Sequence, residues 1–200
     1  MGFTDELGRR ARRAGPGALA AMGAGALALL VVILNRRKIS TTIRNAMNGS
    51  YFTISELCAS ATARAQGIDN TPTEAVRKNL QGLITNALDP LREAYGKPIV
   101  VNSGYRCARL NAAVGGVANS QHLTGEAADI RGEAGTRAEL VEICRAALRL
   151  GNYDQLIFEE PNGKRWLHIS WRAQGNRKSF LLYRGGAYAT LSKTAWEDKV

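Results

Sequence analysis

The chain of 200 residues contains two histidines, and where they fall limits what the rest of it can build. His122 lies in Ser120-Gln-His-Leu-Thr-Gly-Glu-Ala-Ala-Asp129, and His168 lies in Trp166-Leu-His-Ile-Ser-Trp171. Taken singly, each reads more readily as a hydrogen-bonded core histidine than as a ligand. Taken together with Asp129, they make a sufficient protein ligand set for a catalytic zinc, which keeps its remaining position for water. A fold that uses them in this way must bring two distant segments to one point.

His122 and Asp129 are seven residues apart, which along a helix is about 10 Å, whereas ligands of one zinc each lie about 2.0–2.2 Å from it. The chain between them is therefore not a straight helix. Gly125 allows a tight turn, and Ala127 and Ala128 suit a closely packed strand on which Asp129 faces away from Ala128 and Ile130. In the second segment Leu167, Ile169 and Trp171 alternate with Trp166, His168 and Ser170. The first set reads as a core face, which leaves His168 on the opposite one.

A metal hydrolase also needs a carboxylate outside the ligand set to take a proton from water. Glu159 and Glu160 are the nearest candidates in sequence, and hairpin register chooses between them because a one-residue slip exchanges the faces. A four-residue loop over 161–164 sets Glu159 opposite Trp166 on the His168 face; a three-residue loop favours Glu160. Arg106 caps a helix, pairs with a carboxylate or contacts a substrate, and Glu126 reads as a surface residue.

Around these motifs the pattern predicts an α+β domain over 52–183. Ser55 starts a short helix. From Thr73 to Tyr95, Val76, Leu80, Leu83, Ile84, Ala87, Leu88 and Leu91 recur at helical spacing, with Pro90 as a point of kinking. Ile99–Asn102 reads as a buried strand, a helix follows Arg106 as far as Gly115-Gly116, and Arg137–Leu150 is a helix closed by Gly151. Strands over 154–160 and 165–172 are joined by the turn chemistry of Pro161-Asn-Gly163. Phe180–Tyr183 suits a last strand, and 184–200 is expected to be a tail.

The first fifty residues differ in kind. They carry six of the ten net positive charges, and Gly17–Leu34 is an uncharged run long enough to span a bilayer as a helix, flanked by Arg12-Arg13 and Arg36-Arg37-Lys38. The expected organisation is a basic tail (1–15), a transmembrane helix (16–35) and a linker (36–51), giving a single-pass anchor to a membrane. Charge leaves its orientation open. Gly17, Ala21 and Gly25 form a small-residue stripe of the kind through which helices self-associate, although so Gly/Ala-rich a run yields such a stripe by composition alone. No nucleic-acid-binding motif accompanies the basic charge. Cys58, Cys107 and Cys144 lack thiolate-site spacing and read as small buried residues.

Ser103-Gly-Tyr-Arg106, Ser120-x-His122-x-x-Gly125-x-Ala127-x-Asp129 and Trp166-x-His168-x-Ser170 together resemble the signature of the zinc D-Ala-D-Ala carboxypeptidase family, which includes VanX- and VanY-type enzymes and phage endolysins. Leu88-Asp-Pro-Leu-Arg92 and Asp154-Gln-Leu-Ile157 match its phage-type branch. The resemblance covers about 52–183. It implies a hedgehog/DD-peptidase fold with a small antiparallel sheet flanked by helices, and a Zn2+ cofactor held by His122, Asp129 and His168. It further implies that Arg106 contacts substrate and that Ser120 lines the site. Many members carry the acidic base three residues before the last histidine, where this chain has Arg165; the phage-type branch takes it from the strand that ends here at Glu159.

The expected protein is thus a membrane-anchored metallopeptidase, phage-encoded or cellular, that cleaves murein stem peptides outside the cytoplasmic membrane or in a virion. Rival readings are a zinc-stabilised wall-binding module without turnover and a virion structural protein.

Overall fold

The computed structural model describes residues 50–200. Thr53 begins the first helix, α1 (Ile54–Cys58), its hydroxyl accepting from the Glu56 amide, so the start falls two residues before the expected Ser55. Ser60 caps α2 (Ala61–Gln66) in the same way. The long amphipathic stretch is three pieces: α3 (Glu74–Leu83), a π-helical turn (Ile84–Leu88) and α4 (Asp89–Tyr95). Pro90 has no amide to donate, and it sits in the first turn of α4, where that loss costs least. The wider turn before it absorbs the phase change that a kink would otherwise have taken.

β1 (Ile99–Ser103) and α5 (Ala108–Ala113) follow, then a 3₁₀ turn (Gln121–Thr124) and β2 (Ala127–Gly132). α6 (Arg137–Leu150) opens with a capping box between Thr136 and Glu139 and closes at Gly151. β3 (Gln155–Glu160), β4 (Trp166–Ser170), β5 (Ser179–Arg184) and β6 (Ala187–Thr190) complete one six-stranded sheet in the order β1-β2-β4-β3-β5-β6.

The sheet is mixed, which corrects the expectation of an antiparallel one. β3 and β5 run parallel over Gln155–Glu160 and Ser179–Arg184, while the other neighbours are antiparallel. Parallel neighbours need a crossover longer than a hairpin turn, and here β4 and the loop after it supply that length.

The alternation along each strand separates two faces. Ala128, Ile130, Leu156, Phe158, Leu167, Ile169, Phe180 and Leu182 turn toward the helices and merge with Leu80, Leu83, Leu88, Leu91, Leu140 and Ile143 in one core. Truncating a fully buried member such as Leu167 or Phe158 to alanine removes about 2–5 kcal/mol, through lost burial and the cavity left behind. The last residues also belong to this body. Trp196 packs edge-to-face on Phe180, and Arg137 donates to the Val200 carbonyl.

The expected basic tail and membrane helix, and nearly all of the linker, lie outside the described residues. Among the described residues no helix is long and apolar enough to cross a membrane. What the structure supports is an α+β domain with a mixed sheet and flanking helices. The transmembrane anchor, the membrane as partner, self-association through that helix and the single-pass localisation find no support among the described residues and are not carried further.

Candidate metal centre

Three strands and one turn build the centre from the residues upward. β2 and β4 pair so that Asp129 stands opposite His168, and both side chains rise from the face that the helices leave open. His122 comes to the same point from the 3₁₀ turn, which Ser120 caps by accepting from the His122 amide at 3.3 Å. Gly125, with φ +74°, ends that turn and lets the chain enter β2 directly. The hydroxyl of Ser120 thus shapes the support of a cluster side chain.

His122 Nε2 lies 3.2 Å from His168 Nδ1 and 3.2 Å from Asp129 Oδ1, and His168 Nδ1 lies 3.0 Å from the same oxygen. All three residues are buried. His122 Nδ1 meets the Gly104 carbonyl at 2.7 Å. A carbonyl only accepts, so Nδ1 carries the proton and the Nε2 lone pair faces the cluster.

Tetrahedral ligands about 2.0–2.1 Å from one ion stand about 3.3 Å from each other, close to the separations found. The donor set therefore fits a metal such as zinc. His122, Asp129 and His168 form the one group of this kind among the described residues. Burial raises the Asp129 carboxyl, but positive charge on the imidazoles of His122 and His168 outweighs that and holds it far below the ordinary carboxylate range, and a dication bound there would supply charge of the same sign.

The support for the Gly104 carbonyl is itself built. The Tyr105 amide donates to the Leu57 carbonyl at 2.7 Å, and the Arg106 amide donates to the His122 carbonyl at 3.1 Å. The Asn70 amide group donates to the carbonyls of Cys58 and Tyr105 while its oxygen accepts from the Cys107 amide. A side chain at Gly104 would overlap the backbone of Leu57.

Two charged residues flank the cluster. Arg106 reaches it from the β1 side, its guanidinium 3.9 Å from Asp129 Oδ2, and its buried Nε has no partner among the described residues. Glu159 flanks it from β3: the observed register pairs Glu159 with Trp166 and Ile157 with His168, the arrangement expected of the four-residue loop. Burial and the Asp129 charge push the Glu159 carboxyl up to about 7.

Glu160 points the other way and is clamped between Arg165 and Arg184. Although burial opposes it, these guanidiniums hold its carboxyl below the usual range. Arg165 is thereby occupied by an ion pair.

Sequence reading gives Asp154 a place in a strand but no role, and the structure shows it fully buried. Its carboxylate accepts from the Arg177 amide at 2.7 Å, from the Arg177 guanidinium and from the Gln121 amide group at 3.1 Å. It ties the loop after β4 to the turn that carries His122. No spacing links Asp154, Arg177 and Gln121; in the sequence Asp154 stands out only as the first residue of the expected strand and of the Asp154-Gln-Leu-Ile157 match.

A buried triad of converging lone pairs, with a desolvated carboxylate and an arginine beside it, has the make-up of a metal-dependent hydrolase. The comparison with known proteins agrees: residues 50–170 match the family model described as Peptidase M15, and the chain belongs to that family. His122, Asp129 and His168 all fall within the matched residues. A stretch of 44 residues is 50% identical to the zinc D-Ala-D-Ala carboxypeptidase of Streptomyces albus G, covering 22% of this chain and 17% of that enzyme. The match thus spans about a sixth of the relative's length. That relative is bacterial, and of the two origins left open, phage-encoded or cellular, nothing in these matches supports the first, which is withdrawn.

Proposed function

We propose that this domain is a zinc peptidase that hydrolyses a peptide bond of murein stem peptides; the Streptomyces relative, named a zinc D-Ala-D-Ala carboxypeptidase, supports the zinc and the D-alanyl peptide. The observation that carries the reading is the convergence of His122 Nε2, His168 Nδ1 and Asp129 Oδ1, with Glu159 and Arg106 on either side. These three residues would hold the ion, and zinc bound there supplies Lewis acidity to the reaction.

Glu159 is the general base. Its ionised carboxylate takes a proton from the attacking water and later delivers it to the leaving amine. A carboxyl near neutrality suits both transfers, because it gives up a proton about as readily as it takes one. Arg106 orients the substrate by a charge-assisted hydrogen bond to its carbonyl or carboxylate, and its unpartnered Nε is a donor suited to that contact. Ser120 lines the site through the turn that it caps.

The test is incubation of the zinc-loaded chain with purified murein, with and without a chelator, followed by mass analysis of the products. New free amines that vanish on chelation and return with zinc are expected. Free D-alanine among the products identifies a carboxypeptidase, and amines without D-alanine an endopeptidase. Murein left intact by protein carrying one zinc per chain would overturn the proposal.

A further inference from the structure

The open face of the sheet does not stop at Glu159. Register carries it onward: Glu159 pairs with Tyr183 on β5, and Tyr183 pairs with Tyr188 on β6. In-register neighbours point to the same side of a sheet, so both tyrosines stand on the face that bears Asp129 and His168. Their ring centroids are 4.7 Å apart with planes inclined at 43°. A cross-strand aromatic pair steadies a hairpin, but that role alone does not call for an outer ring that is 60% exposed beside a catalytic face. β5 and β6 also lie beyond residue 170, where the family match ends.

From the geometry we infer that Tyr183 and Tyr188 form a stacking platform for a sugar ring of the glycan strand to which the stem peptide is attached. The inference rests on the proposed murein reading and deepens it, since it makes the glycan-linked peptide the preferred substrate over the free peptide. Three observations converge on it. The cluster is flanked by a cation at Arg106 on the β1 side and by the aromatic pair on the β6 side, so a bound peptide lies across the strands with a definite polarity. An anionic end sits at Arg106, and the remainder runs over Glu159 toward the tyrosines.

The span matches as well. Three strand spacings separate β4 from β6, about 14 Å, and four extended residues cover about 13–14 Å. A stem peptide of that length, with its scissile carbonyl at the cluster, delivers its sugar to the platform. The chemistry also matches, because a pyranose offers an apolar C–H face and a hydroxyl rim, and tyrosine offers an apolar ring and a phenolic tip.

The experiment compares kcat/KM of the zinc-loaded full chain on a disaccharide-linked stem peptide and on the same peptide without sugar. Tyr188→Ala, Tyr183→Ala and Tyr188→Phe are tested alongside the wild type. The wild type is expected to prefer the sugar-bearing substrate about tenfold, a difference of the size that one aromatic contact supplies. The preference should collapse toward unity, through KM, in either alanine variant and survive in Tyr188→Phe.

A second readout is independent of turnover. Calorimetry with the disaccharide peptide on metal-free chain should show about tenfold weaker binding for Tyr188→Ala. If neither substrate is cut, the murein peptidase reading fails, while calorimetry still decides the platform. An unchanged preference, an equal loss on both substrates carried by kcat, or a dimer that Tyr188→Ala dissociates would each overturn the inference.

Discussion

Asp129 and Asp154 are both buried carboxylates, 8% and 0% exposed, and both are held well below the ordinary range. Their surroundings differ. Around Asp154 the protein supplies every donor, from the Arg177 amide and guanidinium to the Gln121 amide group. Around Asp129 it places two imidazole nitrogens, one of which has its proton committed to the Gly104 carbonyl on the far side of the ring. A carboxylate satisfied by its own chain is a strut, and one facing lone pairs is waiting for a cation. Burial alone does not tell them apart; the donor inventory does.

Exchanging the two aspartates' chemistry should break this contrast most sharply. Asp129→Asn or His122→Ala is expected to abolish stoichiometric zinc, measured by atomic emission, and to lower turnover by roughly 10⁴-fold or more. Asp154→Asn should leave the zinc content at one per chain. Next in size, Glu159→Gln should cut kcat by about 10²–10⁴-fold with zinc retained. Glu160→Gln, which removes only a partner of two exposed arginines, should stay within about threefold in activity.

The pH profile sharpens the same distinction. Glu159 works as a base only when ionised, and its carboxyl sits near 7. kcat/KM should therefore rise with pH and fall about tenfold per unit on the acid side of that carboxyl's titration. A bound dication draws this limb to lower pH by favouring the ionised form. Glu159→Gln should erase the limb, which a pH–rate series checks.

Smallest is the thermodynamic effect of Asp154→Asn, about 2–3 kcal/mol of stability in urea unfolding. In the wild type, burial raises the Asp154 carboxyl, but its bonds to Arg177 bring it down to about 2. Its stabilisation is thus complete above the unfolded value near 4. It is lost as pH falls from there to about 2, and acid unfolding of the variant should lack that step.

Much of the centre was legible before any coordinates, for a physical reason. Strand alternation is rigid, so Leu167 and Ile169 in the core forced His168 onto the other face, and Gly125 with the two alanines allowed Asp129 to follow His122 closely. Register was the undetermined part: Glu159 or Glu160 depended on loop length, which Pro161-Asn-Gly163 signals without counting.

The parallel pairing of β3 with β5 left no trace in the pattern, since both strands look alike whichever direction they run. β6 escaped notice because all four of its residues are exposed and none alternates with a buried partner. Gly185-Gly186, inside the expected tail over 184–200, is the turn into that strand. The π-helical turn was invisible because one extra residue in a helix shifts the apolar stripe by less than the stripe's own width.

Gly104 has no side chain with which to hold a ligand, yet its carbonyl decides which nitrogen of His122 is basic, and its missing side chain is what lets Leu57 come so near. A library randomised at this position and sorted for wall-lytic colonies should return glycine alone. The cause of that intolerance would be found in the backbone of a small helix nearly fifty residues upstream, where nothing resembles an active site.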